Sequence, residues 1–211
     1  MNQVNQTHTY VLVLEPARDL SQLVMDYKAR TGELVGDQLY LQDPPHLTLY
    51  VAPFPDHDRL RQAFSDFAPA VPAVDVSIQG WHVFAADPLT GKQTLVCQLA
   101  TGALSELRQI QLSAIRAVAS LRDQIAVRGR YSDSWHALTS AERENVESYG
   151  FPFVGEGWHP HISIASIDPA DWEIVWQEMQ GNPPFIDSQL ARLALYVLEE
   201  NLPVMVDRVD L

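Results

Sequence analysis

The sequence predicts an α+β fold built on an internal duplication, and three observations carry it. Strand-like and helix-like segments follow the order β-α-β-α-β-β-α-insert-β-α-β-β, which lays helices against sheet. The stretches PPHLTLY at 44–50 and HPHISIA at 159–165 repeat one pattern: proline, histidine, aliphatic, hydroxyl, aliphatic. In both, a strand pattern runs through a proline-containing loop into a helix, and the interval from His46 to Asp56 equals that from His161 to Asp171. Equal register in two strand–loop–helix units predicts a pseudo-twofold axis between them.

The elements read as follows. THTYVLVLEP alternates and is β-rich, a strand ending at Pro16. RDLSQLVMDYKARTG places Leu20, Leu23, Val24 and Tyr27 at helical spacing, with Gly32 as its stop. HLTLYVA is the next strand, and DHDRLRQAFSDFA a helix with Asp56 as N-cap. AVDVSIQGWHVFA and QTLVCQLA are strands joined by the turn DPLTGK. ALSELRQIQLSAIRAVASLRDQI is the longest helical pattern. Residues 126–158 form an irregular insert, in which TSAERE resembles a capping box and FPFVGEGW reads as loop. HISIA is a strand. DPADWEIVWQEMQG is a helix with Asp168 as N-cap and Pro169 in its first turn. SQLARLALYVLEE and LPVMVDRVDL close the chain as a hairpin around Asn201.

A chain of 211 residues, 46% hydrophobic and 19% charged, can bury a full core as one domain. The first residues carry no basic stretch and only a short apolar run, so neither a signal peptide nor a membrane span is expected. Cys97 is the single cysteine, which removes intrachain disulfides and thiolate clusters and fits a reducing cytoplasm. A formal charge of −13 argues against long nucleic acid as a high-affinity partner. A small anion remains compatible if a basic patch is local. Arg108, Arg116, Arg122, Arg128 and Arg130 stand against Asp123 alone over 108–130. The expected state is a monomer.

The repeated stretches carry chemistry. Strand side chains alternate faces, so His46, Thr48 and Tyr50 share one face, as do His161 and Ser163. Aliphatic residues between them enter the core, leaving imidazole and hydroxyl on the open face. Two such strands meeting across a dyad offer two imidazoles and two hydroxyls to one pocket. That set suits phosphodiester chemistry. One neutral imidazole accepts a proton from the attacking water or hydroxyl, and one protonated imidazole gives a proton to the leaving oxygen. Thr48 and Ser163 can hydrogen-bond the non-bridging phosphate oxygens. Histidine suits both proton roles because its reference pKa is about 6.5.

HLTL and HISI resemble the paired His–aliphatic–Thr/Ser–aliphatic motifs of the 2H phosphoesterase superfamily. This group includes 2′,3′-cyclic nucleotide phosphodiesterases and the bacterial 2′-5′ RNA ligases. Serine at 163 replaces the commoner threonine. The resemblance implies a bilobed fold, two pseudo-symmetric antiparallel sheets flanked by helices around a central cleft. It implies catalysis by His46 and His161, phosphate binding by Thr48 and Ser163, and no metal or other cofactor. The insert also resembles the segment before the second motif in a branch associated with phosphonate metabolism.

Tyr50, His159, Arg128 and Arg130 are further candidate substrate contacts, with Phe84, Trp81, Trp158 and Tyr149 as stacking surfaces and Lys92 as a phosphate contact. The leading expectation is a metal-independent phosphodiesterase acting on a cyclic phosphate or 2′-linked diester of a small nucleotide. Two other readings are a noncatalytic nucleotide- or phosphate-binding module and a zinc hydrolase using His46, His159 and His161. Binding without turnover would identify the first, and loss of activity on chelation the second.

Overall fold

The computed structural model describes residues 7–211. Seven strands and six α-helices alternate. They are β1 (His8–Pro16), α1 (Arg18–Val35), β2 (Leu47–Phe54), α2 (His57–Phe67), β3 (Val74–Phe84), β4 (Gln93–Leu99), α3 (Leu104–Val118), α4 (Gln124–Arg130), α5 (Ser140–Tyr149), β5 (His161–Ile167), α6 (Trp172–Met179), β6 (Phe185–Glu199) and β7 (Leu202–Asp210).

All strand pairings are antiparallel, in the order β1-β2-β5-β4-β3-β6-β7, and β1 also pairs with β6. The sheet therefore closes on itself. Its two halves are visible within the ring: β2-β1-β6-β7 and β5-β4-β3-β6. The long strand β6 belongs to both, pairing β3 through Phe185–Leu190 and β1 through Leu190–Val197. A single bridge, Leu47 to Ile162, joins the halves on the other side.

The helices obey the same dyad. α1, which precedes β2, lies behind β5, while α3, which precedes β5, lies behind β2. α1 also packs on α6, and α2 on α3. Each half is thus braced by the helix of the other. One continuous core results, with Leu14, Leu20, Leu47, Leu49, Phe64, Leu95, Leu107, Ile162 and Ile164 among its buried members. Burying each such aliphatic or aromatic side chain contributes about 1.5–3 kcal/mol.

Three helix boundaries differ from expectation. α3 ends at Val118, where the helical pattern was read on to Ile125; a short 3-10 turn, Ala119–Leu121, follows it, and Gln124 and Ile125 belong to α4. α1 continues through Gly32 to Val35, because Gly36, with φ 75°, provides the left-handed terminus that Gly32 does not. α6 begins after Asp171, not Asp168; residues 168–171 form a turn closed by the Asp171 amide on the Asp168 carbonyl (2.9 Å). Asp56 and Asp171, the residues in equal register, are therefore both N-cap residues. Within the insert, the capping box of Thr139 and Glu142 forms as read. α4 lies where an irregular segment was expected; Asp123 caps it, accepting from the Ile125 and Ala126 amides.

A hydrogen bond ties the end of α5 to β2. The Tyr50 hydroxyl donates to the Tyr149 carbonyl, and the next residue, Gly150 (φ 84°), ends α5. A Cβ at Gly150 would stand 2.6 Å from Arg122 Cδ, whose guanidinium holds the Ala119, Glu147 and Ser148 carbonyls. Gly150→Ala is expected to cost about 1–3 kcal/mol through left-handed strain plus this clash. It should lower the denaturant midpoint without changing the slope.

Candidate active site

The site forms where the two motif strands cross. His46 immediately precedes β2, His161 opens β5, and the Leu47–Ile162 bridge lies between histidine and hydroxyl residue in both. The register of that antiparallel bridge sets His46 opposite Ser163 and Thr48 opposite His161. All four side chains line one cleft of about 380 Å³. Leu47 and Ile162 point the other way and are fully buried.

Each motif strand then carries a β-bulge at the same place. In β1–β2, Leu12 pairs Tyr50 and Val13 pairs Thr48, leaving Leu49 as the extra residue. In β4–β5, Leu95 pairs Ala165 and Val96 pairs Ser163, leaving Ile164. An extra residue shifts the alternation by one beyond it. This corrects the placement of Tyr50. Strict alternation gives it to the cleft, but the bulge turns it into the core, against Phe54 and Phe151. Val51 lines the cleft in its place.

The two imidazoles are held alike. His46 Nδ1 lies 2.7 Å from the Pro44 carbonyl and His161 Nδ1 lies 2.7 Å from the His159 carbonyl. A carbonyl oxygen only accepts, so Nδ1 carries the hydrogen in both rings and Nε2 is left for proton transfer. The prolines preceding each histidine restrict the backbone where these carbonyls turn back.

Burial pushes the pKa of both rings down. That of His161 falls to about 4, chiefly through desolvation, with the charges of His159 and His46 acting in the same direction and Asp87 and the His159 carbonyl opposing. His46 is lowered chiefly by desolvation and further by Lys28, against the Pro44 carbonyl, Asp43 and Glu15. The charge of His46 is among those acting on His161, which places the two rings in one electrostatic environment. Burial thus favours the neutral form of both rings.

The remaining candidates separate. His159 lines the cleft, stacks on His82 (centroids 4.5 Å apart), and its Nε2 lies 3.1 Å from Gln98 Oε1. Arg130 lines the cleft at the end of α4. Arg128 does not; it faces a separate surface depression with Arg122, Trp135 and His136. Two residues along a helix turn the side chain through about 200°, so adjacent arginines at this spacing cannot serve one pocket. Phe84 and Trp158 border the cleft, whereas Trp81 packs on Tyr27 and donates to the Met179 carbonyl (2.8 Å). Tyr149 is an exposed surface residue, and Lys92 pairs with Asp168 at 2.9 Å.

Sequence reasoning missed Lys28, Asp43, Asp87 and Tyr196, which also line the cleft. The Tyr196 ring lies 6.5 Å from that of His46, and its hydroxyl donates to the buried Glu15, which also pairs with Arg192 and Arg208 at 3.0 Å each. Among the described residues, no three His, Cys, Asp or Glu side chains gather closely enough to hold a metal ion. No helix among them is long and apolar enough to cross a membrane.

Comparison with known proteins gives a consistent result. The model of the 2′-5′ RNA ligase superfamily matches residues 15–202. No curated protein matches the sequence. Escherichia coli LigT complexed with 3′-AMP superposes with a TM-score of 0.57 at 12% identity, covering 98% of this chain and 99% of that one. Thermus thermophilus TT0787 gives 0.58 at 13% identity, covering 96% and 97%. LigT structures also carry NADP+ and ATP. With its paired motifs crossing at the dyad of this fold, the chain belongs to the 2′-5′ RNA ligase superfamily of 2H phosphoesterases.

Proposed function

We propose that the protein is a phosphodiesterase that opens a cyclic phosphate, or cleaves a 2′-linked phosphodiester, in a small nucleotide by paired general acid–base catalysis. The observation that carries this reading is the matched pair of half-sites: two imidazoles with the same tautomer, each set across from the other motif's hydroxyl, facing one cleft. Small nucleotides in the LigT structures support the substrate class.

The chemistry then runs as an in-line displacement. One neutral imidazole takes a proton from water at Nε2 as the water oxygen attacks phosphorus. The phosphorus–oxygen bond to the ribose breaks, and the departing oxygen takes the proton of the other imidazole. Each transfer is worth roughly 10²–10⁴ in rate. Thr48 and Ser163 donate to the non-bridging oxygens, which gain charge as the bonds change. Water leaves a phosphomonoester and restores the proton balance of the pair. With a nucleotide hydroxyl as acceptor, the same groups run the exchange toward ligation.

Turnover of 2′,3′-cyclic nucleotides, ADP-ribose cyclic phosphate and 2′,5′-linked oligonucleotides, measured with chelator present, tests this directly. His46→Ala and His161→Ala are each expected to lower kcat by at least about 10², with KM changed much less. Either variant retaining nearly full rate would remove the paired scheme.

Protonation gives an independent check. Because desolvation depresses both imidazoles in the free protein, kcat/KM should peak on the acid side of about 6.5. A bound phosphodiester anion favours the charged imidazole, so the kcat profile should lie at higher pH. Its two apparent pKa values belong to the pair. Coincident profiles centred above neutrality would contradict the arrangement.

A further inference from the structure

Each bulge is held from behind by one buried polar side chain, and the two holders match across the dyad. Gln111 of α3, fully buried, donates through Nε2 to the carbonyl of the bulge residue Leu49 (3.2 Å) and to that of Phe153 (2.8 Å). Its Oε1 accepts from the Gly155 amide (3.0 Å). Lys28 of α1, buried to 3% exposure, donates through Nζ to the carbonyl of the other bulge residue, Ile164 (3.2 Å), and to the carbonyl of Tyr40. Tyr40 and Gly155 stand at the same distance before His46 and His161 in sequence. Each holder thus ties one motif's bulge to the loop that leads into the other motif, through hydrogen bonds that a buried polar side chain supplies.

The match ends at charge. Gln111 is neutral. Lys28 is an ammonium at the cleft floor, with Tyr40 held at φ 72°, a conformation rarely adopted by a bulky residue. We propose, building on the phosphodiesterase reading, that Lys28 and Gln111 are paired positioning residues that fix the two bulges, and that the charge of Lys28, which Gln111 lacks, acts on His46 and not on His161.

The groups facing each side make the consequence explicit. His46 is faced by Asp43 of its own loop, Lys28 of α1, Glu15 of β1, Tyr196 of β6 and His161. Lys28 itself is faced by Asp43 and Cys97, and burial lowers its pKa to about 8. His161 is faced by His159, Asp87 and His46, with no lysine among the groups acting on it. Lys28 disfavours the protonated form of His46, against Asp43 and Glu15, and does not act on His161, whose protonated form His159 and His46 disfavour against Asp87.

The test titrates both imidazoles by NMR in the wild type, Lys28→Gln, Lys28→Arg and Gln111→Leu. It reads the rings whether or not any substrate turns over, so its outcome is separate from that of the activity assays. Lys28→Gln makes the two holders alike. The His46 midpoint should rise by about 1 on the pH scale, with that of His161 moving much less. Lys28→Arg should leave both in place. Gln111→Leu should leave the His46 midpoint unmoved while lowering kcat, since it loosens a bulge without changing charge. Equal movement of both rings in Lys28→Gln, or none, would overturn the proposal. Failure of both Lys28→Gln and Lys28→Arg to fold would overturn it as well, showing that the ammonium serves the core and not the site.

Discussion

The geometry of the cleft rests on one backbone contact, the bridge between Leu47 and Ile162. It is the only place where the motif strands pair, and it falls at the residue between histidine and hydroxyl in both. Moving the register by one residue would send imidazole and hydroxyl of one strand into the core and bring Leu47 or Ile162 out to water. The aliphatic residues therefore do more than fill space. Both are fully buried, and their burial fixes which face the reactive groups occupy. The ring of strands supports this contact from the far side, since β6 pairs with both halves and sets the distance at which they can face each other.

The histidines are tightly bound to their own backbone. A carbonyl two residues upstream fixes the tautomer of each ring, so Nε2 is the nitrogen left free of the backbone in both. The same burial that fixes the rings strips them of water and favours their neutral forms. An anionic substrate reverses that preference locally. The protein surface, with a net formal charge of −13, supplies no general attraction for phosphate. Recognition is left to directed donors inside the cleft.

Much of this was legible in the sequence, for a physical reason. The alternation in HLTL and HISI is a two-residue period that survives any tertiary context, and the N-cap positions Asp56 and Asp171 preserve the duplicated register. The bulges were not legible. Whether Leu49 or Ile164 is an extra residue depends on which partner residues β1 and β4 present, and that is information outside the strand. Tyr50 was misplaced on this account alone. Lys28 and Gln111 left a weak signal: each falls on the buried stripe of its helix, with Leu20 and Val24 or with Leu107 and Ala114, where a polar residue is out of pattern. Arg128 and Arg130 were grouped because an irregular segment was expected there, and α4 separates them.

The pairing of β1 with β6 has a bearing on how the molecule is made. β1 spans His8–Pro16 and its partner β6 spans Phe185–Glu199, so residues 17–184 must be synthesised between them. Contacts this distant along the polypeptide form slowly. Until β6 emerges from the ribosome, the valines and leucines of β1 lack one of their two neighbouring strands. The fold thus becomes complete only when its shared strand arrives to join both halves.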